Sequence, residues 1–307
     1  MNKNILFKYR SVTACMKASY DLISEHLLSL LKKTWWAVLT YALLLAFTTY
    51  FQMPNKALHD WGEANPWSSY IIQTLVYLGA MLGVFVAGAS IWSWLNKKSF
   101  KKNLASYFAS FVWVEILAFA LSAISSFLMQ MLTHGKSLQT GDLSTSTLLT
   151  SLGVLGIYLG FIILYLLLAL PFTYLVPKVM TREKGEKIEV WKSFKIGFRN
   201  MGSSFAISFL CGLMLAVVSA FLLLPTAILG WSQINAQLGA LSGDPLGVPS
   251  YFSALFILVL TITFFIFIYM GTWMQIAYVY LYGSIVAKEN KKQENINIKN
   301  IELNEKD

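Results

Sequence analysis

Glu115 is the residue of this chain best placed to do chemistry, because it lies inside a long apolar stretch, FVWVEILAFALS. A charged carboxylate is costly to bury in a membrane, so an intramembrane Glu is by default a functional hypothesis, either as a proton relay or as a cation ligand. The alternative, which we favour, is a neutral glutamic acid that is hydrogen-bonded to a neighbouring helix through Gln73, Thr74 or Gln275. A proton path normally needs a second titratable group, and the apolar stretches offer none.

A second group of reactive residue types lies in LHDWGEANPW, where His59, Asp60 and Glu63 could bind a metal ion. Gly62 and Pro66 lie in the same short stretch, which favours solvated loop residues over a metal site. The sequence contains no glycine-rich phosphate loop, no HExxH motif and no GxSxG motif. We therefore predict no catalytic residue, no cofactor and no metal site, and we favour a non-enzymatic protein over an enzyme.

The elements that would position these residues are membrane helices. Hydrophobic residues make up 56% of the chain and charged residues only 13%, against about 25% charged residues in soluble domains. The core of a globular protein of this size cannot hold so much apolar surface, so most of the chain has lipid as its solvent. The two cysteines, Cys15 and Cys211, do not suggest a disulfide framework.

Six apolar stretches are long enough for a helix to cross the roughly 30 Å hydrocarbon layer, which takes about 20 residues. They lack the alternation of a membrane β-strand. We predict an all-α fold, a polytopic membrane helix bundle with six transmembrane helices in three hairpins. It forms a single transmembrane domain over 1–287, followed by a polar cytoplasmic tail over 288–307 that is disordered or a short frayed helix. The predicted spans lie near 34–52, 70–95, 104–132, 147–177, 203–231 and 251–287.

The orientation of the spans follows from the positions of the cations. Of the 24 Lys and Arg residues, 22 lie in segments that the six spans would place on one side of the membrane, and only Lys56 and Lys136 lie on the other. The positive-inside rule then predicts that both termini are cytoplasmic. A polar segment precedes the first span, so we also expect no cleaved signal peptide.

Basic and aromatic segments precede spans one, three and five, at 19–36, 92–108 and 189–210. In the last of these, aromatic rings fall on one helical face and cations on an adjoining face. Such a helix lies in the membrane interface, where each cation gains about 1 kcal/mol from anionic headgroups. The predicted lipid-interface residues are Trp191, Lys192, Phe194, Lys195, Phe198 and Arg199, together with Lys97, Lys98, Lys101 and Lys102.

This recurrence predicts three structural repeats, at about 11–96, 97–186 and 187–288. The alternative is that any helical hairpin in a membrane needs basic flanks. Gly79, Gly83 and Ala87 form a small-residue ridge on the second predicted span, and Gly156 and Gly160 form another on the fourth. Both ridges predict close packing against another helix.

The segment VWKSFKIGFRNMGSSFAISFL resembles an aromatic and basic lead-in of the type W-x-S-F-x-x-x-x-x-N. This lead-in is found in a group of poorly characterised bacterial six-helix inner-membrane proteins. That group is similar in layout to the membrane-anchor domain of some glycerophosphodiester phosphodiesterases. The recognisable motif covers only about 190–210. The resemblance implies a location in the bacterial inner membrane and assigns no chemistry. The polar stretches are too short for a phosphodiesterase domain, so that activity is not carried over.

The cations lie in groups beside the predicted spans, which favours membrane lipids with anionic headgroups on the cytoplasmic face over nucleic acid as the partner. The sequence identifies no protein partner. We favour a non-enzymatic protein with an envelope-organising or membrane-organising role. A secondary transporter or channel is the first alternative, supported by Glu115 and by the prolines Pro171 and Pro225 within apolar stretches. A lipid-modifying membrane enzyme is the second alternative.

Overall fold

The computed structural model describes residues 6–53, 56–133, 145–182, 189–241, 249 and 251–304. These residues form helices and contain no strand, so the all-α prediction is confirmed. Some helical residues, Glu115 among them, are described for their backbone only. The helices are α1 (Val12–Phe51), α2 (Lys56–Ala64), α3 (Pro66–Asn96), α4 (Phe100–Thr133), α5 (Thr145–Ala169), α6 (Phe172–Thr181), α7 (Val190–Arg199), α8 (Met201–Leu241) and α9 (Phe252–Asn304).

Five helical stretches within the described residues are long and apolar enough to cross a membrane, and each overlaps a predicted span. The predicted span near 104–132 lies within the single helix α4, but most of the side chains there lie outside the described residues, so this span stays a prediction. The five stretches are Val12–Phe51, Pro66–Asn96, Leu159–Thr181, Met201–Ala236 and Phe252–Ile298.

The two membrane prolines have different effects on their helices. Pro171 lies between α5 and α6, and a new helix starts directly after it, as expected where proline removes a backbone donor. Pro225 lies inside α8, which continues past it to Leu241. Only the first proline therefore divides a span into two helices.

The chain forms two compact units, which we describe separately. Unit one contains Met1–Ala105 and Ala206–Asp307, and unit two contains Ser106–Phe205. In unit one, α1 packs against both α3 and α9. One core cluster is formed by Val38 of α1 and by Ala87 and Ile91 of α3. The close approach depends on glycine, because a β-carbon at Gly83 would lie 2.8 Å from the ring of Tyr41. The close packing predicted for the ridge of the second span is present, whereas a β-carbon at Gly156 or Gly160 would meet no atom of the described residues within 4 Å.

Hydroxyl groups join α1 to α9 at two levels. Tyr50 donates a hydrogen bond to Ser253 at 3.0 Å, and Thr34 and Tyr269 are 2.9 Å apart. Thr34 also donates to the carbonyl of Leu30, so Tyr269 is the donor to Thr34. The residue number rises along α1 as it falls along α9, which means that these parts of the two helices run antiparallel.

The same kind of contact joins α8 to α9. Thr226 and Thr263 are buried and 2.9 Å apart, and Ser208 and Tyr278 are also 2.9 Å apart. These two helices are antiparallel as well. In lipid, such interhelical hydrogen bonds contribute about 0.6 kcal/mol each, and at most about 1.7 kcal/mol.

None of the three predicted interfacial segments is a continuous helix, and the segment 19–36 is interrupted at His26 (φ −122°, ψ 16°). Residues 92–108 were expected to form one helix, but α3 ends at Asn96, Lys97 adopts a left-handed conformation with φ 57°, and α4 starts at Phe100. The helix at the start of segment 189–210 is also separate from the next span, because the backbone leaves the helical region at Asn200 (φ −104°, ψ 21°).

In the C-terminal tail, α9 continues as a helix to Asn304. Of the two alternatives for residues 288–307, disorder or a short frayed helix, the described residues adopt the helix. Extending an existing helix adds one hydrogen bond per residue without a nucleation cost, and the tail is rich in Lys and Glu, which favour helix.

Candidate lipid interface

The helix α7 is held in unit two by a face of two small residues. Ser193 and Gly197 are one turn apart and buried. A β-carbon at Gly197 would lie 2.7 Å from the carbonyl oxygen of Pro171, so only glycine allows this approach. Ser193 accepts a hydrogen bond from Nζ of Lys178 at 2.9 Å and donates one to the carbonyl of Glu189 at 2.8 Å. The small face of α7 is therefore fixed against α6.

The opposite face of α7 carries large rings that are not covered by protein. Trp191 is 81% exposed and Phe198 is 53% exposed. Lys192, Lys195 and Arg199 are exposed on the same helix. In water, two such rings would form an unfavourable apolar patch, whereas at a bilayer surface they reach the acyl chains while the cations stay at headgroup level.

Phe194 has a different environment from the one predicted. It is half-buried, with its ring edge-on to Phe172 at 5.8 Å between centroids and stacked on Trp191 at 6.1 Å. The predicted lipid-facing role of Phe194 therefore applies at most to part of its ring. The Phe194 ring packs α7 against the start of α6 and lies against the Trp191 indole.

A charge pair on the same helix contributes little. Lys192 lies 3.3 Å from the carboxylate of Glu189, and the two side chains are 70% and 65% exposed. An exposed pair of this kind contributes well under about 1 kcal/mol and is weakened by salt. Lys192 therefore remains available to an anionic headgroup.

The four lysines lie at the junction of α3 and α4, Lys97 and Lys98 in the connecting turn and Lys101 and Lys102 in the first turn of α4. The turn has its own hydrogen-bond network. The side-chain amides of Asn96 and Asn103 bond to each other in both directions, at 2.8 and 3.1 Å. The Asn96 oxygen also accepts from the backbone N–H of Lys98 at 3.0 Å, and Ser93 donates to the Lys98 carbonyl at 2.9 Å. Asn103 is only 1% exposed. The turn is thus fixed from inside.

At this junction, Lys97, Lys101 and Lys102 are exposed and Lys98 is half-buried. The sequence correctly picked out these cations as a group on one short segment. It did not predict the asparagine pair that holds the turn, although Asn at both ends of a lysine-rich turn was the available signal.

The predicted intramembrane polar residues are not brought together by anything that the structure describes. The side chain of Glu115 lies outside the described residues. Gln73 donates to Ser69, one turn away on α3, at 3.2 Å. The side-chain oxygen of Gln275 is buried on α9 and has no hydrogen-bond partner in the described part of the chain. Gln73 lies near the α2 end of α3 and Gln275 near the Ser284 end of α9, at opposite ends of unit one.

No group of His, Cys, Asp and Glu within the described residues is arranged to hold a metal ion. Asp60 and Glu63 lie on α2, whereas the side chain of His59 is outside the described part. Neither of the buried cysteines forms a disulfide.

The long apolar helices define the class as an α-helical, membrane-integral protein. Beyond that class, no family model matches the chain, and no curated protein or solved structure shows significant similarity to it.

Proposed function

We propose that this chain is a six-span protein of the bacterial inner membrane, with both termini in the cytoplasm. Its basic and aromatic face binds anionic lipid, and it has a non-enzymatic role in organising the membrane. The orientation rests on the cation asymmetry, and the bacterial location rests on the resemblance of 190–210. The contacts of unit one support the six spans, and the exposed face of α7 supports the binding of anionic lipid.

The proposed number of crossings is supported by the chain segments that meet at one end of unit one. Trp94, near the end of α3, donates to Ser29 at 3.3 Å, and Ser208, near the start of α8, contacts Tyr278. Ser29 and Tyr278 lie toward the same end of the antiparallel pair α1 and α9. If this end lies on one side of the membrane, the chain leaves α3 and enters α8 on that side, which supports an even number of crossings in between.

Between those two points, Leu159–Thr181 is one candidate span, so an even number requires a second. The helix α4 has 34 residues, or about 51 Å at 1.5 Å per residue, which is ample. At 10 residues, or about 15 Å, α7 is too short. This argument supports α4 as the sixth crossing.

The start of α1 supports the idea of a surface-lying helix before span one. The carbonyl of Met16 accepts a hydrogen bond from the indole of Trp273 at 3.4 Å, and Thr34 contacts Tyr269. Met16 and Thr34 are about 27 Å apart along a helix, whereas their partners on α9 are only about 6 Å apart. The early part of α1 therefore does not run alongside α9. The irregular backbone at His26 (φ −122°, ψ 16°) lies between the two parts.

The proposal of lipid binding is carried by one observation: the exposed Trp191 and Phe198 on a short helix whose other face is fixed by Gly197. Each cation near an anionic surface contributes about 1 kcal/mol, so the three cations favour anionic over neutral lipid. An apolar patch alone would bind both kinds of lipid equally. A helix fixed to the protein on one face and exposing rings and cations on the other presents a surface suited to headgroups.

The test of lipid binding uses the full chain in nanodiscs that contain spin-labelled phosphatidylglycerol or phosphatidylcholine. Replacing Lys192, Lys195 and Arg199 by Gln should lower the motionally restricted fraction of phosphatidylglycerol and leave that of phosphatidylcholine unchanged. The matched control replaces Lys288, Lys291 and Lys292 by Gln, which removes the same charge from the tail. Equal effects of the two triple variants would refute a specific role of α7.

The test of topology uses single cysteines and a membrane-impermeant maleimide on intact cells. Ser137→Cys should be labelled from outside, and Lys292→Cys should be labelled only after lysis. Equal labelling of the two positions would refute the six-span arrangement.

Transport is the second candidate function, and the buried oxygen of Gln275 favours it. A polar atom without a partner inside a span costs about 1–3 kcal/mol, and such an atom can bind water or a solute that passes through the bundle. Gln233 of α8 has a similar buried oxygen without a partner among the described residues.

A further inference from the structure

We propose that the part of α9 around Ser284 is a docking site for a bent chain segment, and that residues 6–11, which we call the strap, fill it within the same molecule. The backbone N–H of Arg10 donates to the Ser284 hydroxyl at 2.9 Å, and that hydroxyl donates to the Arg10 carbonyl at 2.8 Å. Ser284 is only 4% exposed. One side chain thus satisfies both backbone groups of one strap residue, whatever the side chain of that residue is.

Glycine at position 283 makes room for the strap. A β-carbon there would collide with the backbone carbonyl of Leu6. Leu6 is itself 5% exposed, so its side chain is buried where the strap meets the helix. Gly283 therefore leaves room for the Leu6 carbonyl, and the hydroxyl of the next residue, Ser284, bonds to the backbone of Arg10. This combination recognises backbone shape rather than a charged ligand.

Two aromatic rings on α9 extend the site along the strap. The guanidinium of Arg10 lies over the ring of Tyr280, 5.0 Å from its centroid, and Phe7 meets Tyr282 edge-on at 6.2 Å. The Arg10 guanidinium also donates to the carbonyls of Leu6 and Lys8, at 3.4 and 3.3 Å, which keeps the strap bent back on itself. Cation–π contacts of this kind favour arginine over a neutral residue.

The strap joins the segment before the first membrane helix to the last membrane helix, which it contacts at 280–284. It can dock only if both ends lie on one face of the membrane, and once docked it fixes the start of α1 against α9. This device does not depend on lipid binding by α7, which lies in unit two.

The experiment measures how well the strap is protected in the full-length protein in nanodiscs. Trypsin cleavage between Arg10 and Ser11 requires the strap to leave α9, so the cleavage rate reports undocking. Gly283→Ala should speed this cleavage about tenfold or more, because the strap is displaced. The matched control is Gly271→Ala on the same helix, where a β-carbon would have no atom within 4 Å, and it should leave the rate unchanged.

A second variant keeps the test decisive if Gly283→Ala does not fold. Ser284→Ala removes both hydrogen bonds to Arg10 without adding bulk, and it should raise amide hydrogen exchange at Arg10 several-fold, by roughly 3–10 times. Exchange at Thr34, within α1, should not change. If either folded variant keeps wild-type protection at the strap, the docking site is refuted. Loss of lipid selectivity in the α7 variants would leave this result untouched.

Discussion

Gly197 of α7 lies directly against the backbone of Pro171, so that a β-carbon at Gly197 would come within 2.7 Å of the Pro171 carbonyl oxygen and 3.0 Å of its Cα. A backbone atom cannot move aside as the tip of a side chain can. The position of α7, and with it the exposure of Trp191, therefore depends on the absence of a side chain at residue 197.

Replacing Gly197 by Ala should destabilise the protein by about 1–3 kcal/mol, because α7 must shift away from α6. Helix propensity alone predicts the opposite sign, since Ala is favoured over Gly by up to about 1 kcal/mol in a helix. Thermal unfolding in detergent, followed by size-exclusion chromatography, measures the effect. Gly202→Ala serves as the control because a β-carbon there meets no atom within 4 Å. A stabilised Gly197→Ala protein would contradict the packing described.

Replacing Asn103 by Ala should cost about 1–3 kcal/mol, because it removes a buried amide and the two hydrogen bonds that this amide makes with the Asn96 side chain. Lys101→Ala at the same junction should change the stability by less than about 0.5 kcal/mol, since that side chain is exposed. Chemical denaturation of the two variants side by side measures the difference. Similar losses would show that the asparagine pair does not hold the turn.

Thr226 and Thr263 should be energetically coupled across α8 and α9. A double-mutant cycle with Thr226→Val and Thr263→Val is expected to give a coupling of about 0.6 kcal/mol, and no more than about 1.7 kcal/mol. The same cycle with Thr226→Val and Thr34→Val should be additive, because Thr34 bonds to Tyr269 instead. Additivity in both cycles would mean that the 2.9 Å contact contributes nothing measurable.

Glu115→Gln distinguishes the two roles considered for this residue. If the carboxyl is neutral and structural, the amide should replace it with almost no change in the amount of folded protein. Purified protein in liposomes with a pH-sensitive dye provides the functional measurement, with Gln73→Glu as a control for an added carboxyl on another helix. A proton flux that Glu115→Gln abolishes would establish transport and overturn the membrane-organising proposal.

The sequence was sufficient for the features that depend on composition and local spacing. The apolar runs correspond to five membrane-length helices, and the Gly79 and Gly83 ridge packs closely, with a β-carbon at Gly79 only 3.3 Å from Leu44. The grouping of cations beside aromatic rings also predicted the side chains that α7 exposes. These signals are local, because hydrophobicity and helical period are properties of neighbouring residues.

The features that the sequence missed depend on single residues or on distant partners. The break between α3 and α4 spans 97–99, and the break after α7 lies at Asn200; apolar periodicity detects neither. Pairs such as Ser208 and Tyr278 join residues far apart in the chain, and many hydroxyls of the spans would have been equally plausible partners. The docking of Phe194 on Phe172 was missed for the same reason.

The length of α9 has a mechanical consequence. At 53 residues it measures about 80 Å, whereas the hydrocarbon layer is only about 30 Å thick. Because α9 is one continuous helix, its membrane part and its end move together. Any rotation or tilt imposed on its middle by the surrounding lipid is carried to its far tip, where a small angular change becomes a displacement of many ångströms.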